Sequence, residues 1–139
     1  MSGKTQSNAS LILYKAQKYH DQAEKISPNN AELICLQALV HTAWITLNSK
    51  VYGQKLSPVI IQLYKKAMEQ EPENPRPLYL LAEYQIHMAK MFGQDPSIHY
   101  KMLTKSLEKF NTFKAPCAFY PSWGKDRVIK LLQRTNENK

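Results

Sequence analysis

The sequence predicts an all-α fold of antiparallel helix pairs, and three observations point there. The 139 residues hold only 4 glycines, too few for the turn density of a sandwich or barrel. The 8 prolines fall between apolar-periodic segments, where a helix can start or stop, and not at regular strand spacing. No run of β-branched residues alternates over five or more positions between turn residues. An apolar content of 43% at this length suits one globular core and excludes a disordered tail.

Six helices follow in order. The first spans about 8–26, with Leu11, Tyr14, Ala16, Tyr19, Ala23 and Ile26 recurring at three- and four-residue steps; it stops at Ser27-Pro28-Asn29. The second spans about 31–48 behind the N-cap residue Asn30, with Leu33, Leu36, Val40, Ala43, Trp44 and Leu47 as its stripe. A loop is expected from Asn48 to Leu56. The third starts at Ser57-Pro58, a capping residue followed by proline at the first helical position, and carries Ile60, Ile61, Tyr64, Ala67 and Met68. Asn74-Pro75 opens the fourth, with Leu78, Leu81, Ala82, Gln85 and Met88 facing one way. Asp95-Pro96 opens the fifth, which runs to about Phe110 with Ile98, Met102, Leu103, Ser106 and Leu107. The last starts near Ser122-Trp123 and holds Val128, Ile129, Leu131 and Leu132.

Composition also narrows function. The net charge of +8 is concentrated in the C-terminal third, where Lys125, Arg127, Lys130 and Arg134 form a basic face. Such a face serves solubility, or it attracts a polyanion such as nucleic acid. Cys35 and Cys117 form no CxxC pair, and no two of His20, His41, His87 and His99 stand three or four apart, so neither zinc-finger spacing nor a helical histidine pair exists. Neither metal nor cofactor is expected. No nucleophile elbow and no carboxylate pairing appears, so an enzyme is not expected. No stretch approaches the roughly 18 apolar residues of a membrane helix. Residues 1–7 are small and polar and read as a leader, with 8–139 as a single domain.

A repeat underlies the pattern. Ala23 to Asn30 aligns with Ala67 to Asn74, each segment ending in a proline–Asn entry to the next helix. His20 and Tyr64 each stand three residues before the alanine. Ser106 to Asn111 is a weaker third copy, with Leu103 three residues before Ser106. This pattern resembles the tetratricopeptide repeat (TPR), in which a small residue packs helix B on helix A and proline closes the repeat. The spacing from Pro28 to Pro72 is 44 residues, longer than the family period. Arg76 to Ala82, Met91-Phe92-Gly93, Leu107 to Lys114 and Pro121 to Gly124 are similar to a group of TPR-like proteins of Bacteroidetes bacteria, over roughly 14–132.

The resemblance implies a short right-handed TPR-like solenoid closed by a C-terminal capping helix. It implies a non-catalytic scaffold that binds a protein or peptide in a groove lined by Glu32 and Leu39 on the second helix and by Arg76, Tyr79, Glu83 and His87 on the fourth. A polyanion-binding module using the basic C-terminal third is the alternative. Members of the group typically carry an export signal and further N-terminal helices, so an exported, longer parent protein is expected. The first helix reads as a helix B without its helix A, which leaves Leu11, Ile12 and Tyr19 to be covered, and a homodimer through the N-terminal helices would cover them.

Overall fold

The computed structural model describes residues 3–137, with side chains from 8 to 136. Among the described residues there are six helices and no strand: α1 (Gly3–Ile26), α2 (Ala31–Leu47), α3 (Ser49–Gln70), α4 (Pro75–Met91), α5 (Ser97–Thr112) and α6 (Lys125–Glu137). They group into two compact units, 1–70 and 71–139, where the sequence reading treats 8–139 as one domain. The chain leaves the first unit at the C-terminus of α3 and enters the second through Glu71-Pro72-Glu73-Asn74.

Asparagine caps explain two of the helix starts. The Asn30 side chain accepts from Glu32 N at 2.9 Å, and Asn74 repeats the geometry, accepting from Arg76 N at 3.0 Å. Both caps have extended backbone with ψ of 120°, so the aligned segments share their local structure as well as their residues. Asp95 caps from one position further out, its carboxylate accepting from Ser97 N at 3.0 Å.

Three boundaries depart from expectation. α1 begins at Gly3, so the expected leader is helical from that residue, while Met1 and Ser2 lie outside the described residues. The loop expected over 48–56 is helical: α3 begins at Ser49 and contains Pro58 in its interior. Asn48 serves both helices, donating its backbone N–H to Trp44 O at 3.1 Å and accepting from Val51 N at 3.3 Å. Pro58 removes one helical N–H, but Gln54, whose carbonyl loses that partner, is exposed, so water replaces the bond. α6 begins at Lys125, later than Ser122, because Gly124 supplies the carbonyl that accepts from Val128 N at 3.1 Å.

In the first unit α2 packs between α1 and α3, which is why it is apolar on more than one face. The α1–α2 pair is antiparallel: Tyr14 meets Trp44, Gln17 meets Gln37 and His20 meets Leu33. The apolar stripe expected on α1 faces α2 only in part. Leu11, Tyr14, Tyr19 and Ile26 are 59–86% exposed, while Ala16 and Ala23 of that stripe turn inward together with Leu13, Gln17 and His20, which lie outside it. This inner face is small and polar because hydrogen bonds carry part of the contact: the two amides exchange bonds of 2.6 and 2.8 Å, and His20 Nε2 donates to Leu33 O at 2.7 Å. Ala67 and Tyr64, the repeat residues of α3, are fully buried.

In the second unit α5 packs between α4 and α6. α4 and α5 are antiparallel, with Tyr79 against Phe110 and Lys90 over Tyr100. Leu103, Ser106 and Val128 form its closed interior. Ser106 stands where the other repeats place alanine, and its hydroxyl donates to Leu103 O at 2.7 Å, so the polar atom is satisfied in the core.

Candidate ligand-binding surface

The residues expected to line a groove separate into two environments. Arg76 and Tyr79 are 1% and 4% exposed, and Glu32 is also buried, so these three present no open surface. Leu39 and Glu83 are half-buried, and His87 is exposed. The loop from Phe113 to Gly124 covers the start of α4. The Arg76 guanidinium lies 5.8 Å from the Phe113 ring centre and 5.6 Å from that of Tyr120, and Nη1 donates to Trp123 O at 3.4 Å. Tyr120 in turn donates its hydroxyl to Glu71. Arg76 therefore anchors a loop, through planar stacking that lysine could not supply.

Glu83 joins α4 to α6. Its carboxylate receives Arg127 Nε at 2.9 Å and Nη2 at 2.6 Å, and the Tyr79 hydroxyl bonds to it as well. Burial, reinforced by the Glu83 charge, holds the Tyr79 phenol far above the ordinary tyrosine range. Lys125, Lys130 and Arg134 of the basic face are exposed, whereas Arg127 is engaged in this pair.

A different surface carries the ring chemistry. In the first unit Trp44 sits between two tyrosines, with Tyr14 edge-on at 5.1 Å and Tyr52 tilted at 5.3 Å. Ser10, Trp44, Leu47, Asn48 and Tyr52 line a cleft of about 130 Å³ beside them. Tyr14 is exposed. Sequence reasoning assigned Tyr14 and Trp44 to packing and placed Tyr52 in a loop. The missing signal was the stretch of helix from Ser49 to Pro58, more than two turns long, which brings Tyr52 onto Trp44.

His41 lies on α2, within hydrogen-bond reach of Gln37 at 3.4 Å. Burial, followed by the nearby charge of His20, lowers its pKa below the ordinary imidazole value of 6.5. The folded state thus favours neutral His41 and the unfolded chain binds the proton more readily. Its contribution to stability is complete above pH 6.5 and is lost as pH falls from there through the lowered value. Melting temperature measured from pH 8 to pH 5 should fall on the acid side, and His41→Gln should flatten that slope; an unchanged slope would assign the effect to other groups.

No protein-family model and no curated protein matches the sequence. In fold the chain is similar to the HusA haemophore from Porphyromonas gingivalis, with a TM-score of 0.80 and 21% identity over 98% of this chain and 68% of that one. The likeness covers both units and confirms the all-helical class. It also overturns the expected function. The TPR-type scaffold for peptides, and the polyanion-binding alternative, are set aside because the protein whose fold this chain shares is a haemophore. Glu32, Arg76 and Tyr79 are buried and offer no exposed side-chain surface.

Proposed function

We propose that this chain captures a haem-type tetrapyrrole and carries it unchanged. The fold match to a haemophore over 98% of the chain is the observation that supports this reading. The Tyr14–Trp44–Tyr52 group is the surface suited to such a ligand, because flat rings stack against a macrocycle. A cleft of about 130 Å³ is well below the roughly 300–1,000 Å³ of enclosing ligand pockets, so the macrocycle lies against the open ring edge. Helical spacing puts Lys18 on the face of Tyr14 and Lys55 on that of Tyr52, and the net charge of +8 favours the anionic propionates. The described cleft lining holds no histidine, cysteine or methionine, and Tyr52 is its one residue of a haem-ligating type, so stacking and charge would carry affinity for the iron-free macrocycle as well.

Within this reading the helix pairs stack as a TPR-like solenoid with α6 as its cap, and the protein turns over no substrate. Its parent is exported, as capture of external haem requires. Pairing of two copies over exposed Leu11, Ile12 and Tyr19 belongs to the same proposal.

The test is a titration of haemin, and of protoporphyrin without iron, into a Trp123→Phe variant in which Trp44 is the sole tryptophan. Both ligands should quench Trp44 and saturate. Tyr14→Ala, which removes an exposed ring, should weaken binding roughly tenfold, the worth of one stacked aromatic. Binding undiminished by Tyr14→Ala or Tyr52→Ala would reject this surface, and no uptake of either ligand would reject the function.

A further inference from the structure

One turn of α1 carries His20, Asp21 and Glu24, whose ligand-type atoms all lie within 4.8 Å of one another. His20 and Glu24 stand four residues apart, the spacing that puts two side chains on one helix face. The carboxylates are exposed, whereas the His20 side chain is only 6% exposed.

The imidazole orientation is determined by its neighbour. Nε2 lies 2.7 Å from Leu33 O on α2. A carbonyl only accepts, so Nε2 carries the proton and, in the neutral ring, Nδ1 presents a bare lone pair. Nδ1 is buried, makes no hydrogen bond, and faces Asp21 Oδ1 at 3.7 Å. Two lone-pair atoms turned towards each other are repulsive unless a proton or a metal cation stands between them. The backing is also in place. Gln17 Nε2 donates to Asp21 Oδ1 at 2.8 Å, and the same amide group is paired with Gln37 of α2. An imidazole that gives its second N–H to a backbone carbonyl, beside a carboxylate held by an amide, is the outer arrangement found around metal-binding histidines.

We propose that His20 Nδ1 and the Asp21 and Glu24 carboxylates bind a divalent first-row transition cation of the zinc type, with water completing its coordination. Two carboxylates neutralise the double charge, and the imidazole nitrogen selects such a cation over magnesium, which prefers an all-oxygen octahedron. The site is independent of the tetrapyrrole surface, since none of its residues lines the aromatic cleft.

Titration calorimetry of the intact chain with zinc chloride, and separately with magnesium chloride, tests it. One zinc per chain and no magnesium uptake are expected. Asp21→Asn and Glu24→Gln alter exposed groups and should leave the helical circular dichroism unchanged. Each should weaken zinc binding at least tenfold, and the double variant should abolish it. Cys117→Ser and His87→Gln should bind zinc as the parent does. In nitrogen-15 spectra zinc should shift His20 Nδ1 and leave Nε2 protonated. No zinc uptake would reduce the cluster to an imidazolium–carboxylate contact and overturn the proposal. Uptake undiminished in the double variant would overturn it equally.

Discussion

Arg76→Ala should destabilise the second unit by about 2–5 kcal/mol, the range for deleting a large side chain from a closed interior. Arg76 is the largest of the fully buried side chains. Its guanidinium stacks between Phe113 and Tyr120 and donates to the carbonyl of Trp123, so one residue of α4 holds both ends of the twelve-residue loop between α5 and α6. Alanine removes the stack and the bond and leaves a void that Pro116 and Pro121 make hard for the loop to fill. Arg76→Lys should rescue little, because a point charge cannot stack in the plane between two rings. Arg76→Met keeps volume and should fall between. Guanidinium unfolding followed through Trp123, in a Trp44→Phe background, reads this unit alone. A midpoint for Arg76→Ala equal to the parent would show that the loop holds itself.

Gly124→Ala should be the next most damaging change. Gly124 has φ of +114°, a region closed to ordinary L residues, and a strained backbone of that kind costs about 1–3 kcal/mol. Space is missing as well: an added Cβ would meet Phe110 Cζ at 2.9 Å and Tyr79 Cε1 at 3.3 Å. Gly124 accepts the first backbone bond of α6, so the strain falls where that helix starts against α5. Gly53→Ala is the contrasting case. That glycine is inside α3 with open space around it, and alanine there should be neutral or stabilising by about 0.5–1 kcal/mol. Thermal melts of the two variants should move in opposite directions. Equal shifts would refute the reading of Gly124.

Much of the helical organisation was legible before any coordinates. Asn30 and Asn74 announce α2 and α4 because capping is local: a side-chain oxygen and an N–H two residues on need no distant partner. Ser57-Pro58 carried the same kind of signal and misled, since proline is compatible with a first turn and also with an exposed helix interior. Which of these holds depends on whether the freed carbonyl reaches water. Arg76 and Tyr79 read as a hot-spot pair for a partner, and helical spacing did put them on one face of α4. Spacing could not tell that a loop some forty residues later would close over that face.

The all-helical class, the positions of the caps and the Ala-to-Asn repeat belong to the linear chain, because each rests on interactions within a few residues. Tertiary packing alone decided which face of α1 turns inward, that Tyr52 joins Tyr14 and Trp44, and that the Nδ1 lone pair of His20 points at Asp21. Those outcomes depend on partners from other helices. Periodicity marks which residues share a face of a helix, but it carries no information about what that face will meet.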